Sequence, residues 1–123
     1  MAGKRILVID DEADILMLAQ LGLEMVNGWE VFTASSPPIG IQMAAQHQPD
    51  AILLDMTFPD MDGAEVLRRL QAQESTRHIP VLLVSGNHSA MTQLGAAGVV
   101  EKPFDVTRLA EIVSSILNWP MDS

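Results

Sequence analysis

Five side chains stand out by type and by place. Asp10 and Asp11 are adjacent acids that close the apolar run Ile6-Leu7-Val8-Ile9, and Asp55 closes Ala51-Ile52-Leu53-Leu54. Ser85 closes the run from Ile79 to Val84, and Lys102 follows Val99-Val100 two residues on, just before Pro103. If these run ends meet, three carboxylates crowd together and repel, so the cluster is incomplete without a cation. The donors are all oxygen, which suits a hard ion such as Mg²⁺. Such an ion keeps open positions for water and phosphate oxygens, and a nearby ammonium and hydroxyl complete a phosphoryl cradle. Taken singly, each residue has a plainer reading. Asp10-Asp11 could cap a helix, Asp55 could serve the turn at Pro59-Asp60, Ser85-Gly86 could open a loop, and Lys102 could be a surface lysine. The chemistry rests on all of them standing at one edge.

The elements that would put them there are legible as apolar periodicity. Ile6–Ile9, Ala51–Leu54, Ile79–Val84 and Val99-Val100 are continuous apolar runs, as expected of strands covered on both faces. Trp29-Glu30-Val31-Phe32-Thr33 alternates instead, after the turn signal Asn27-Gly28, and reads as an edge strand. Each gap between runs holds a helix. Residues 14–26 place Ile15, Leu18, Ala19, Gly22, Met25 and Val26 on one face at helical spacing. Pro37-Pro38 after Ser35-Ser36 reads as a helix start, because proline fits the first turn. Residues 64–72 carry Val66, Leu67 and Leu70. Asp105 is a plausible N-cap for a last helix with the stripe Val106, Leu109, Ile112, Val113 and Ile116, ended by Pro120. Alternating strands and helices predict an α/β fold with a parallel sheet and helices on both faces, joined by right-handed crossovers. Ligands of such sheets bind outside the carboxyl ends of the strands, where all five singled-out residues fall.

Composition bounds the rest. A chain of 123 residues, 48% apolar and 19% charged, fits one folded domain over residues 1–123. No apolar run approaches the roughly 20 residues that span a bilayer. The run after Lys4-Arg5 stops at Asp10, too short for a signal peptide, so the expected location is cytoplasmic, without membrane contact. The absence of cysteine excludes disulfides, thiolate catalysis and Cys-ligated zinc. A net charge of −9 argues against direct nucleic-acid binding, which needs a basic footprint. His47, His78 and His88 show no metal-ligand spacing and read as surface, as do the loop acids Asp60 and Asp62.

Over nearly its whole length the sequence resembles a response-regulator receiver domain of two-component signalling. The residues that carry the likeness are Asp10-Asp11-Glu12, the segment Asp55-Met56-Thr57-Phe58-Pro59-Asp60-Met61-Asp62-Gly63, Ser85-Gly86 and Lys102-Pro103-Phe104. Each motif alone is weak, whereas their order and placement at strand ends are specific. The resemblance implies a CheY-like, flavodoxin-like fold with five parallel strands in the order 2-1-3-4-5. It implies that Asp55 is the phosphoacceptor, taking a phosphoryl group from a histidine kinase or histidine phosphotransfer protein. It implies Mg²⁺ held by Asp11, Asp55 and the backbone carbonyl of Thr57, with Asp10 acting largely through water. Lys102 would neutralise and hold a phosphate oxygen, and Ser85 would be the switch hydroxyl whose movement reshapes an outer surface read by an output protein or fused domain. Such a domain is a switch that takes up phosphate and assists its own dephosphorylation, not an enzyme with an outside substrate.

The sequence departs from that pattern at three places. Ser85 and Lys102 are 17 positions apart, shorter than the usual interval by about one helical turn or more. The helix between the fourth and fifth strands is therefore expected to be short or absent, and the common dimer geometry built on it unused. Val99 stands where the family has an aromatic, so coupling through ring burial is not expected. Pro37-Pro38 replaces a small or polar pair and has no evident role. Thr57 and Asn87 stand where the family tunes the phosphoryl lifetime. Leu16 and Met17 lie off the core stripe near the site end and read either as a broad stripe or as a docking patch for the helical domain of the phosphodonor. Two other classes share the sheet architecture. A phosphatase or phosphotransferase with a strand-end Asp would need a cap domain, for which 123 residues leave no space. A flavodoxin-like redox carrier would need a phosphate-binding loop where Asp10-Asp11 stand.

Overall fold

A computed structural model describes residues 3–26, 28–56, 58, 61–86 and 95–120. The chain runs β1 (Arg5–Ile9), α1 (Ala13–Glu24), β2 (Glu30–Ala34), α2 (Pro37–His47), β3 (Ala51–Asp55), α3 (Gly63–Ala72), β4 (Val81–Ser85), β5 (Gly98–Glu101), a 3₁₀ turn (Val106–Arg108) and α4 (Leu109–Leu117). The five strands form one parallel sheet in the order β2-β1-β3-β4-β5. This is the expected flavodoxin-like architecture. The alternating run at Trp29 does become an edge strand, β2, and the continuous runs β1, β3 and β4 become the centre.

Side chains of a strand point alternately to its two faces, and here each face has its own core. Ile6, Val8, Leu53, Leu82, Val84 and Val100 pack with Ala19 and Leu23 of α1 and Leu109 and Val113 of α4. Leu7, Ile9, Ile52, Leu54, Val81 and Leu83 pack with Ala44 of α2 and Val66, Leu67 and Leu70 of α3. Helices α1 and α4 thus cover one face, and α2 and α3 the other.

Two local expectations are corrected. The buried residues of α1 are Ala19, Gly22 and Leu23, with Leu16 and Val26 packed against the core, whereas Leu18 and Met25 of the proposed stripe are 39% and 65% exposed. Apolar residues occupy almost every position from Ile15 to Val26, so their period cannot select a face. Asp105 caps the 3₁₀ turn rather than α4, its side chain accepting from the Thr107 N–H at 3.0 Å, and the α-helix begins at Leu109. Asp62 is exposed, as expected of a surface acid, and in addition caps a helix: its Oδ1 accepts from the Glu65 N–H at 2.9 Å at the start of α3. The helix expected to be short or absent between β4 and β5 falls on residues 87–94, which lie outside the described residues, as does Thr57. Beyond them, Gly95 adopts a positive φ of 84° that a glycine accommodates freely, and Ala97 donates to Val81 at 2.8 Å to start the last pairing. Val99 is half-buried against the α2/α3-side core.

Candidate functional site

The sheet order makes β1, β3, β4 and β5 successive neighbours, so their carboxyl ends lie side by side. Register fixes the details. Asp55, the last residue of β3, stands opposite Val84, and Ser85 stands opposite Glu101. Asp10 follows β1, its N–H donating to the Ala34 carbonyl at 3.1 Å, and Lys102 follows β5, its N–H donating to the Ser85 carbonyl at 3.0 Å. Asp10, Asp55, Ser85 and Lys102 are thus each tied by a backbone bond or ladder position to the end of a neighbouring strand. The Lys102–Pro103 peptide is cis.

These strand ends bring together the side chains singled out from the sequence. One carboxylate oxygen each from Asp10, Asp11 and Asp55 lies within 4.8 Å of the others. Asp10 and Asp55 are buried, at 2% and 3% exposure, while Asp11 faces solvent. The Lys102 ammonium donates to Asp55 Oδ1 at 2.8 Å. Ser85 is buried at the end of β4. Of the histidines, His78 is exposed and His47 is half-buried and stacked on Phe32 with ring centroids 4.5 Å apart; neither joins the acidic cluster, and His88 lies outside the described residues.

Electrostatics follow from this crowding. Burial pushes the Asp10 carboxyl up from 3.8 to about 6; the Glu12 N–H, donating to Asp10 Oδ1 at 2.9 Å, pulls it back in part, and the charge of Asp55 adds to the rise. Burial by itself would lower the Lys102 ammonium, but its hydrogen bond and charge pairing with Asp55, with help from Asp10 and Glu12, hold it above the ordinary lysine value. The site therefore carries a permanent cation on one side and a surplus of negative charge on the other. Two-thirds of its acidic groups are shielded from water, and a hard divalent cation is what such an oxygen set accommodates. Glu12 is the contributor that the sequence did not single out as acting on Asp10. Its backbone role has no side-chain signature, since any non-proline residue supplies an N–H.

Gly63 closes the site from behind. It donates its N–H to the Met56 carbonyl at 2.8 Å, and a Cβ there would stand 2.7 Å from Met56 Cα and 2.8 Å from the Asp55 carbonyl. Only glycine lets the first turn of α3 press this closely against the chain that leaves Asp55.

Comparisons with known proteins point the same way. The family model described as the response regulator receiver domain matches residues 6–114. The chain is 40% identical over 124 residues to the response regulator PleD of Caulobacter vibrioides, covering 95% of this chain and 27% of that protein. It is 37% identical over 118 residues to the DNA-binding dual master transcriptional regulator RpaA of a Synechocystis strain, covering 92% of this chain and 48% of RpaA. The chain spans between about a quarter and a half of these curated relatives. Among solved structures it resembles the chemotaxis response regulator CheY4 of Vibrio cholerae, with 26% identity, a TM-score of 0.82, and coverage of 94% of this chain and 98% of that one. A strand order, a set of strand-end acids and a lysine, and a family match over residues 6–114 agree: the chain belongs to the family of response regulator receiver domains.

Proposed function

We propose that residues 1–123 form one receiver domain in which Asp55 accepts a phosphoryl group from the phosphohistidine of a histidine kinase or histidine phosphotransfer protein. The observation that carries this reading is the pairing of a buried carboxylate with two further acids on one side and the Lys102 ammonium, 2.8 Å away, on the other. An Asp55 carboxylate oxygen attacks phosphorus; a P–O bond forms, the P–N bond breaks, and its electron pair stays with the imidazole. Lys102 neutralises charge on the transferring group and afterwards holds one of its oxygens. Bound at Asp11, Asp55 and the Thr57 carbonyl, with Asp10 reaching it through water, Mg²⁺ would supply Lewis-acid neutralisation of the phosphoryl oxygens. Ser85 stands at the end of β4 beside the lysine and gives its hydroxyl to the new phosphate, drawing the following loop inward and changing a protein-interaction surface.

The domain catalyses its own phosphoryl uptake and shares in its own hydrolysis; it has no outside substrate. Its output is an unidentified target or a fused domain. RpaA, a DNA-binding regulator that this chain matches over about half its length, is consistent with a fused output. A phosphohistidine donor charged by ATP implies a cytoplasmic location. No helix among the described residues is long and apolar enough to cross a membrane.

The test is phosphoryl uptake from phosphoramidate. Wild-type protein is expected to take up one phosphoryl group per chain, dependent on Mg²⁺, stable to acid and labile to alkali, and Asp55→Asn none. Labelling of Asp55→Asn to the wild-type level would remove the assignment, and repeated turnover of a phosphomonoester would move the chain to the phosphatase class.

A further inference from the structure

The proline pair at the start of α2 has no part in the chemistry above, yet it builds a wall. A cavity of about 320 Å³ opens beside the acidic cluster, lined by Asp11, Ser35, Ser36, Pro37, Pro38, Phe58 and Met61. It lies between the end of β1, the loop from β2 into α2, and the loop from β3 into α3. Prolines at the first two positions of α2 remove two of the N–H groups that a helix start otherwise offers to an anion, and Ser36 makes no side-chain cap bond there. The cavity wall is thus apolar where most helix starts are polar. Phe58 is buried behind it, Met61 is half-buried, and among the described lining residues the one formal charge is the exposed carboxylate of Asp11.

We propose that this cavity seats one large apolar side chain of the phosphodonor protein, fixing the donor's phosphohistidine over Asp55. The inference rests on the reading of Asp55 as phosphoacceptor, because that reading requires a protein donor to reach this edge of the sheet. Three observations select the occupant. The cavity adjoins Asp11, so whatever fills it lies beside the reacting groups. At about 320 Å³ it exceeds the roughly 150 Å³ that a benzene-sized group fills, so it admits a leucine, methionine or phenylalanine side chain with room to spare. The chain carries a net charge of −9 and Asp11 adds a carboxylate at the cavity itself, which favours a basic donor face over an acidic partner or a second copy of this chain. The pair Pro37-Pro38 then acts as a rigid wall whose shape is set before the donor arrives, which lowers the cost of ordering the contact.

The experiment compares two donors on three proteins. The small donor is phosphoramidate, which has no side chain to seat. The protein donor is whichever autophosphorylated kinase or phosphotransfer protein of the source organism labels the wild-type chain fastest. Ser35→Trp narrows the cavity from an exposed position, and Met61→Ala enlarges it. Both variants are expected to take up phosphate from phosphoramidate at the wild-type rate, which also shows that they fold. Transfer from the protein donor is expected to slow roughly ten-fold or more in Ser35→Trp, the size seen when a buried interface anchor is lost, with the loss in the apparent donor KM rather than in the rate at saturation. Met61→Ala should show a smaller loss of the same kind. Unchanged protein-donor transfer in both variants overturns the proposal, as does equal slowing with both donors. Labelling of the wild type by phosphoramidate but by no protein donor overturns it while leaving Asp55 as acceptor. Failure of the wild type with phosphoramidate removes the acceptor reading itself.

Discussion

At the scale of single residues, Asp10 is the side chain whose surroundings cost most. Its carboxyl is buried and raised from 3.8 to about 6, so the metal-free fold binds that proton more tightly than the unfolded chain does. The sign follows from linkage. Stability carries no penalty from Asp10 below pH 3.8, declines as the pH rises, and bears the full cost above pH 6. The gap between those values converts to on the order of 3 kcal/mol. Metal-free Asp10→Asn is therefore expected to exceed the wild type in stability at pH 7.5 and to match it near pH 4, as read by urea unfolding at the two pH values. A stability difference of the same size at both would mean that burial of the charge is not what costs. Because a metal ligand or its water partner must be ionised to serve, Mg²⁺ affinity of the wild type should also fall as the pH drops below 6. Lys102 offsets the crowding from the other side. Lys102→Ala leaves Asp55 buried without its cation, and the metal-free variant should lose on the order of 1–3 kcal/mol, discounted from the cost of a fully buried pair because the lysine is partly exposed. Added Mg²⁺ should restore part of that loss in thermal melts.

At the scale of elements, the position of Gly63 makes α3 part of the site. Any Cβ at that position meets backbone atoms of Asp55 and Met56, which cannot swing aside as a flexible side-chain end would. Gly63→Ala should cost roughly 1–3 kcal/mol in stability. It should also weaken Mg²⁺ binding, because relief of the clash moves the chain just after Asp55. Calorimetric Mg²⁺ titration of folded Gly63→Ala at wild-type affinity would show that α3 gives way instead. The sequence discloses the strand ends well and this contact not at all. Strands β1, β3 and β4 are legible because a buried parallel strand needs an unbroken apolar run, and an acid or a serine after the run marks its end. Asp55, Ser85, Lys102 and the Asp10-Asp11 pair could thus be assigned to one edge from their places alone. The face of α1 was not legible, since Leu16 and Leu18 are equally apolar and only packing decides that the first turns inward and the second outward. The raised carboxyl of Asp10 and its bond from the Glu12 N–H were hidden for a similar reason: both depend on burial and backbone position, which residue type does not encode. Nothing in the sequence signals that Pro37-Pro38 share a cavity with Phe58 and Met61, because the four are brought together only by the tertiary fold.

At the scale of the whole molecule, the excess of acid is both general and local, and the two parts can be separated. Sixteen acids against seven bases leave a net charge of −9, so any added salt relieves self-repulsion somewhat. Three of those acids share one small volume, where repulsion is relieved far more by an ion seated among them than by a diffuse atmosphere. An ion that binds only the folded state stabilises it by mass action, by about 2.7 kcal/mol at a concentration a hundred times its dissociation constant. MgCl₂ should accordingly raise the melting temperature well beyond NaCl at matched ionic strength, along a curve that saturates as a single site fills. Asp11→Ala should keep the NaCl response and lose most of the additional Mg²⁺ response, since the exposed Asp11 contributes to the cluster but little to the packed core. Equal responses to the two salts at matched ionic strength would mean that the strand ends gather charge without gathering a metal, and phosphoryl uptake would then have to proceed on Lys102 alone.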